Sequence, residues 1–157
     1  MASEYSKRLQ QALAPALKRH DYKKVAATWR KDSSEAVSVF NLQGSQWGPS
    51  FYVNLGVYFR ALGPAAHPAA HQCHVWTRLD GLVPDGSRLK ALLDFDQPIE
   101  DALRAAELET LVVGHGLPWL DRLSTPGGAR SYIAAGGSEK MLIAGSAQRF
   151  LGLAQDP

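Results

Sequence analysis

His67, His71, Cys73 and His74 place three of the five histidines and the only cysteine of the chain within eight residues, and imidazole with thiolate suits zinc or nickel. Their spacing argues against a shared ion. In a strand that begins at His71, His71 and Cys73 face one side and His74 the other, while His67 falls in a loop. The sequence offers no second cluster of ligands to complete such a site, so no bound metal is expected.

Asp94 and Asp96 are the best pair of carboxylates, because on one face of an extended segment they could hold magnesium or act as acid and base. They stand just before Pro98-Ile99-Glu100, where carboxylates satisfy the free amides of a helix start, and that role is expected of them. Ser87-Arg-Leu-Lys90 has the spacing by which a lysine can activate a serine, but its companion motifs are missing. Gly136-Gly137-Ser138 could bind an anion through free amides, yet it reads more simply as a C-terminal glycine followed by the next helix cap. The sequence contains no nucleophile elbow, no phosphate loop and no His-Glu-x-x-His, and Gly114-His-Gly116 has Trp119 where a dinucleotide fingerprint needs glycine. No catalytic residue and no cofactor are expected.

The positions with recognition chemistry are Tyr52, Asn54 and Tyr58, on the polar face of the most regular strand in the chain. Tyrosine offers wide contact at low entropy cost, and asparagine directs hydrogen bonds. The structural alternative is that Asn54 holds a neighbouring loop and Gly56 makes room for a close backbone. A second candidate surface is the basic stretch with Lys23, Lys24 and Arg30. Trp29, Trp47 and Trp76 are expected in the core or half-buried rather than as platforms for bases.

The elements that must position these residues follow from periodicity. Tyr5, Leu9, Ala12, Leu13, Ala16 and Leu17 have helical spacing, with Ser3 as cap, and Pro15 predicts a kink or a restart. Val25–Lys31 and residues 36–42 read as strands around an Asp32-Ser33-Ser34 turn. Phe51, Val53, Leu55, Val57 and Phe59 alternate with Tyr52, Asn54, Gly56 and Tyr58, which predicts a half-buried antiparallel strand. Leu62–Ala70 reads as a loop and Cys73–Leu79 as the next strand. Ile99, Ala102, Leu103 and Ala106 suggest a helix ended by Gly114 and Gly116. Pro118 begins another through Trp119, Leu120 and Leu123. A further helix covers Gly128–Ala135, and a last one from Ser138 carries Ile143, Ala147, Phe150 and Leu151 inward. The pattern is α+β: an N-terminal helix, an antiparallel sheet of about four strands, and C-terminal helices packed on one face.

At 157 residues the chain has the length of one domain, with ordinary globular composition and no internal repeat or linker, so residues 1–157 are expected to form a single domain. No segment is long and apolar enough to span a membrane and no apolar leader opens the chain, which makes a cytoplasmic protein the expectation. A net charge of +2 does not announce nucleic acid. The charge is uneven, however. Residues 1–31 hold eight basic and two acidic side chains and residues 79–121 three and nine, so a basic end and an acidic end are expected.

Asn41-Leu-Gln43, Trp47-Gly48-Pro49 and Phe51-Tyr-Val-Asn54-Leu-Gly56-Val57 together resemble the characteristic stretch of the domain-of-unknown-function 4304 family of small, mostly bacterial proteins. Tyr22-Lys23-Lys24 with Trp29-Arg30, Cys73-His74 with Arg78, and Leu117-Pro118-Trp119-Leu120-Asp121 before Leu123-Ser124-Thr125 are similar to its other segments. The resemblance implies an α+β fold and supplies no catalytic residues.

The expectation is therefore a noncatalytic module that binds a protein through Tyr52, Asn54 and Tyr58 or through the basic start, with toxin neutralisation as one setting by analogy. Two other classes stay open. One is a small hydrolase using Asp94, Asp96 or His74. The other is a weak nucleic-acid binder through Lys23, Lys24, Arg30 and Lys31 beside Tyr22 and Trp29.

Overall fold

A computed structural model of the protein describes residues 3–153. Ser3 Oγ accepts the amide of Ser6, and from this cap α1 (Glu4–Arg19) runs as one helix with Leu9, Leu13, Ala16 and Leu17 buried. The restart expected at Pro15 does not occur. Pro15 and Gln11 are both exposed, so the carbonyl that Pro15 cannot serve is turned toward water.

Six strands follow, β1 (Lys23–Val25), β2 (Thr28–Asp32), β3 (Ala36–Gly44), β4 (Phe51–Phe59), β5 (Val75–Arg78) and β6 (Leu142–Ile143), in one antiparallel sheet in chain order. The expected four become six because the edge strands have only three and two residues, too few for alternation to show. Val25–Lys31, read as one strand, is the end of β1, a turn with Ala26 at φ 55°, and most of β2. The last helix is also corrected. Residues Gly137–Lys140 make one tight turn after Gly136, which has φ 94°, and Leu142 and Ile143 then pair with Trp76 and Val75. This pairing covers the edge that β5 would otherwise expose, and the helix α6 begins only at Gly145 and ends at Phe150.

The helices α2 (Gly86–Leu92), α3 (Asp101–Leu111), α4 (Leu117–Leu123) and α5 (Pro126–Ala134) complete the described chain. One face of the sheet presents Phe40, Leu42, Val53, Leu55, Val57 and Phe59, which form a single buried core with Leu9, Leu13 and Leu17 of α1, Leu108 of α3 and Leu117 and Leu120 of α4. Gly114 and Gly116 do not end α3. The backbone passes from α3 to α4 through one wide π turn, Val112–Gly116, just before Pro118, which has no N–H for the carbonyl four residues back. A Cβ at Gly116 would lie 3.1 Å from Leu79 Cδ1, so glycine lets this turn settle onto the sheet.

The basic and acidic ends of the sequence meet. Arg8 bonds Asp101 and Arg19 bonds Glu109 where α1 packs beside α3, and Lys31 lies 3.6 Å from Asp121. Each exposed pair contributes little, roughly 0–1 kcal/mol, but together they cancel the expected polarity of the molecule.

Between α2 and α3 the chain wraps around Arg104, which is 3% exposed. Its guanidinium donates to the carbonyls of Leu92 and Gln97, with those of Ala91, Asp94 and Ile99 at 3.4 to 3.5 Å, and Phe95 stacks over it at 4.4 Å. Burial draws its pKa below the ordinary guanidinium value, against the opposing charge of Asp101. Asp94 and Asp96 do not cap α3. Asp94 Oδ1 accepts the amide of Asp96 in a local turn, and Glu100 precedes α3 without a side-chain cap. Among the described residues no helix is long and apolar enough to cross a membrane.

Candidate functional site

Among the described residues no α-helix packs on the second face of the sheet. Residues 60–74 fold over half of it, burying Val37, Val39, Tyr58 and Cys73 in a small second core with Ala65 and Ala70 at its margin. Glycines fit this loop to the sheet. A Cβ at Gly56 would lie 2.6 Å from Cys73 Sγ, and one at Gly63 would lie 2.0 Å from Tyr58 Oη, which accepts the amide of Ala65. Arg30 Nε donates to Pro68 O and ties β2 to the same loop.

The other half of this face stays open and is polar. In register across β2, β3, β4 and β5 stand Thr28, Asn41, Asn54 and Arg78. They form one hydrogen-bonded rung. Arg78 Nε donates to Asn54 Oδ1 at 3.4 Å, Asn54 Nδ2 donates to Asn41 Oδ1 at 3.0 Å, and Asn41 Nδ2 donates to Thr28 Oγ1 at 2.9 Å. Asn54 Nδ2 also donates to Gln43 Oε1 at 2.9 Å, and the Arg78 guanidinium lies 4.1 Å from the centre of the Tyr52 ring. Two adjoining hollows of about 380 and 520 Å³ share Asn54 and Trp76; Ala70 and His71 line one, Glu139 to Leu142 the other. Cross-strand bonds of this kind hold polar side chains in one arrangement before any ligand arrives.

Of the sequence candidates, Tyr52 and Asn54 belong to this trough and Tyr58 does not. Tyr58 is 6% exposed beneath residues 60–74, so the patch expected from all three is shortened at that end. Alternation assigns Asn41, Gln43, Trp76 and Arg78 each to a face and not to a partner, so it does not mark them as site residues. Folding the sequence about the turn at Trp47-Gly48 would have set Asn41 opposite Asn54. Trp47 itself, expected in the core or half-buried, is 88% exposed at the tip of that turn. Lys23 and Lys24 line a separate groove of about 800 Å³ with Lys18, Tyr22 and Trp29. The two aromatic side chains are core residues, 4% and 2% exposed, and offer no open ring face for a base.

The residues considered for metal or hydrolytic chemistry point different ways. His71 is exposed on the trough rim, whereas Cys73 lies under the loop, where burial pushes its thiol up to about 12 despite the Arg30 charge. At neutral pH it is a thiol and no nucleophile. Among the described residues no three His, Cys, Asp or Glu side chains are placed to share an ion. Asp94 lies beside Ser50 at the start of β4 and His74 beside Phe59 at its end, a separation of roughly 25 Å along the strand. Ser87 and Lys90 are exposed, and Lys90 reaches Asp80 at 4.0 Å.

His74 has a structural task. Its Nδ1 accepts the Phe59 amide at 2.9 Å, which leaves the ring proton on Nε2, and burial lowers its pKa from the ordinary imidazole value. The folded chain therefore binds fewer protons here than the unfolded chain. This contribution is whole above the unfolded pKa of about 6.5 and is lost as pH falls through that value toward the folded one. The melting temperature is expected to fall between neutral and mildly acidic pH, with a shallower fall in His74→Asn, whose Oδ1 can still accept. An identical profile in both proteins would remove His74 from this role.

No curated protein and no solved structure matches the chain. One family model does match, over a span that runs from the middle of α1 to α4 and contains the whole polar rung and the loop over the second core. The model covers residues 13–122, well over half of the chain, and the protein belongs to the family described as Domain of unknown function (DUF4304).

Proposed function

We propose that this domain is a noncatalytic binding module that holds a protein partner on the open half of its second sheet face. The observation that carries the reading is the rung from Thr28 to Arg78, polar, ordered and left uncovered while residues 60–74 bury the other half of that face. Tyrosine, tryptophan and arginine are the side chains that most often anchor protein interfaces, and Tyr52, Trp76 and Arg78 stand together here. The hydrolase alternative is weaker, because the carboxylates and His74 sit at opposite ends of β4. Nucleic acid is the weaker partner because Lys31 is paired with Asp121, Arg30 is spent on Pro68, and the nearby rings are buried.

The test uses the full chain and a double variant, Gln43→Glu with Arg78→Glu, both at exposed positions where the melting temperature is expected to change little. A protein captured by the wild type, purified and recombined with it, should bind wild type and not the variant. Binding that survives in the variant would overturn the assignment of this face. Turnover in a phosphatase, nuclease or esterase screen that Asp94→Ala abolishes would replace the module with an enzyme.

A further inference from the structure

We propose that the occupant of the trough is an acidic segment of the partner, with Arg78 seating an aspartate or glutamate carboxylate; this rests on the binding reading above and specifies its chemistry. The argument begins from which way the amides face. Arginine can only donate, so Asn54 must turn its oxygen toward Arg78 and its nitrogen toward β3. The two hydrogens of that nitrogen go to Asn41 Oδ1 and Gln43 Oε1, which turns both of those amide nitrogens away from Asn54. One hydrogen of Asn41 is then given to Thr28.

The consequence is a floor whose wholly unpartnered groups are donors. Each of the three side-chain amide oxygens of the strip already accepts one bond within it, whereas the Gln43 amide nitrogen, the second Asn41 hydrogen and the terminal nitrogens of Arg78 have no acceptor there. A ligand rich in acceptors fits, and the fixed charge on Arg78 selects an anion. With Nε held by Asn54 and Cζ 4.1 Å from the centre of the Tyr52 ring, the guanidinium is already placed, and its free terminal nitrogens suit the two oxygens of a carboxylate. Among the described residues no carboxylate lies within ion-pair distance of Arg78. On the rim, Glu139 and Lys140 offset each other. A polynucleotide is a poorer fit, since it needs a line of cations, and the residues around the two hollows include only Arg78 and Lys140 of that kind.

The experiment titrates isotope-labelled full-length protein with four probes, hexaglutamate, hexaglutamine, hexalysine and single-stranded hexathymidylate, and follows the side-chain N–H signals of Arg78, Gln43, Asn41 and Asn54. Hexaglutamate is expected to move the Arg78 and Gln43 signals, more weakly as salt is raised. Arg78→Gln should weaken this binding on the order of tenfold or more, and Arg78→Lys should recover only part of it, because the charge returns without the fork. Hexaglutamine or hexalysine binding better at the same signals would overturn the acidic ligand and leave a protein-binding face. Preference for hexathymidylate would overturn both readings. If no probe moves these signals, the acidic assignment fails, while the binding reading still stands or falls on the recombined partner.

Discussion

Replacing Arg104 with leucine is expected to lower stability by about 4 kcal/mol, the largest single effect of those considered, although the change is from a charged residue to an apolar one in an apolar setting. The reason is what the guanidinium leaves behind. Leu92 O ends α2, and the carbonyls of Gln97 and Ile99 belong to a connection folded inward around the charge. Without Arg104 the carbonyls of Leu92 and Ile99 lose their side-chain donor, at roughly 1–3 kcal/mol each, while Gln97 O keeps the Ile99 amide at 2.8 Å, and leucine has nothing to give them. For a chain of this size the melting temperature should fall by roughly 8–16 °C. Arg104→Lys, which keeps the charge but not the planar set of donors, should lose about half as much. A leucine variant that melts with the wild type would show that these carbonyls find other donors. Hydrogen exchange would localise the effect to residues 92–99.

Gly56→Val is expected to cost about 3 kcal/mol and lower the melting temperature by roughly 6–12 °C. Valine suits a strand, so propensity alone predicts a gain, and the loss comes from the loop above. The first carbon added at Gly56 would lie 2.7 Å from Cys73 Cβ and 2.6 Å from its sulfur, and although the sulfur can turn about χ1, the Cβ cannot move without its backbone. Either β4 bends or residues 60–74 lift from the second core. A cycle with Cys73→Gly separates this clash from any intrinsic effect, since removing both Cys73 atoms should make Gly56→Ala much less costly than in the wild type. Additive effects, or a valine variant as stable as the wild type, would mean that the loop does not press on the sheet as described. Lifting the loop would also widen the trough, because Ala70 and His71 form one of its walls.

Both effects arise at positions whose meaning lies outside their own segment. The face of β4 that enters the core was legible in the sequence, as were α1 with its Ser3 cap and the α+β class, since pleat alternation, capping and helical spacing are properties of a few adjacent residues. Tyr52 and Asn54 could be placed on the polar face for the same reason. Alternation alone does not say what stands opposite them. Asn41 and Arg78 become neighbours of Asn54 only through the register of three strands. The loop over Tyr58 likewise covers half the face because Gly56 and Gly63 leave room for it.

In α3 periodicity alone put Leu103 inward. The structure leaves Leu103 half exposed and buries Arg104, because the carbonyls at the end of α2 and in the connection after it supply acceptors for both terminal nitrogens of the guanidinium. The opposed charges at the two ends of the sequence cancel because α1 packs beside α3. Local sequence thus determined which residues could lie on a face and which segments could form elements. Burial, pairing and charge were decided by tertiary structure, because hydrogen bonding and desolvation depend on groups brought close in space from distant parts of the chain.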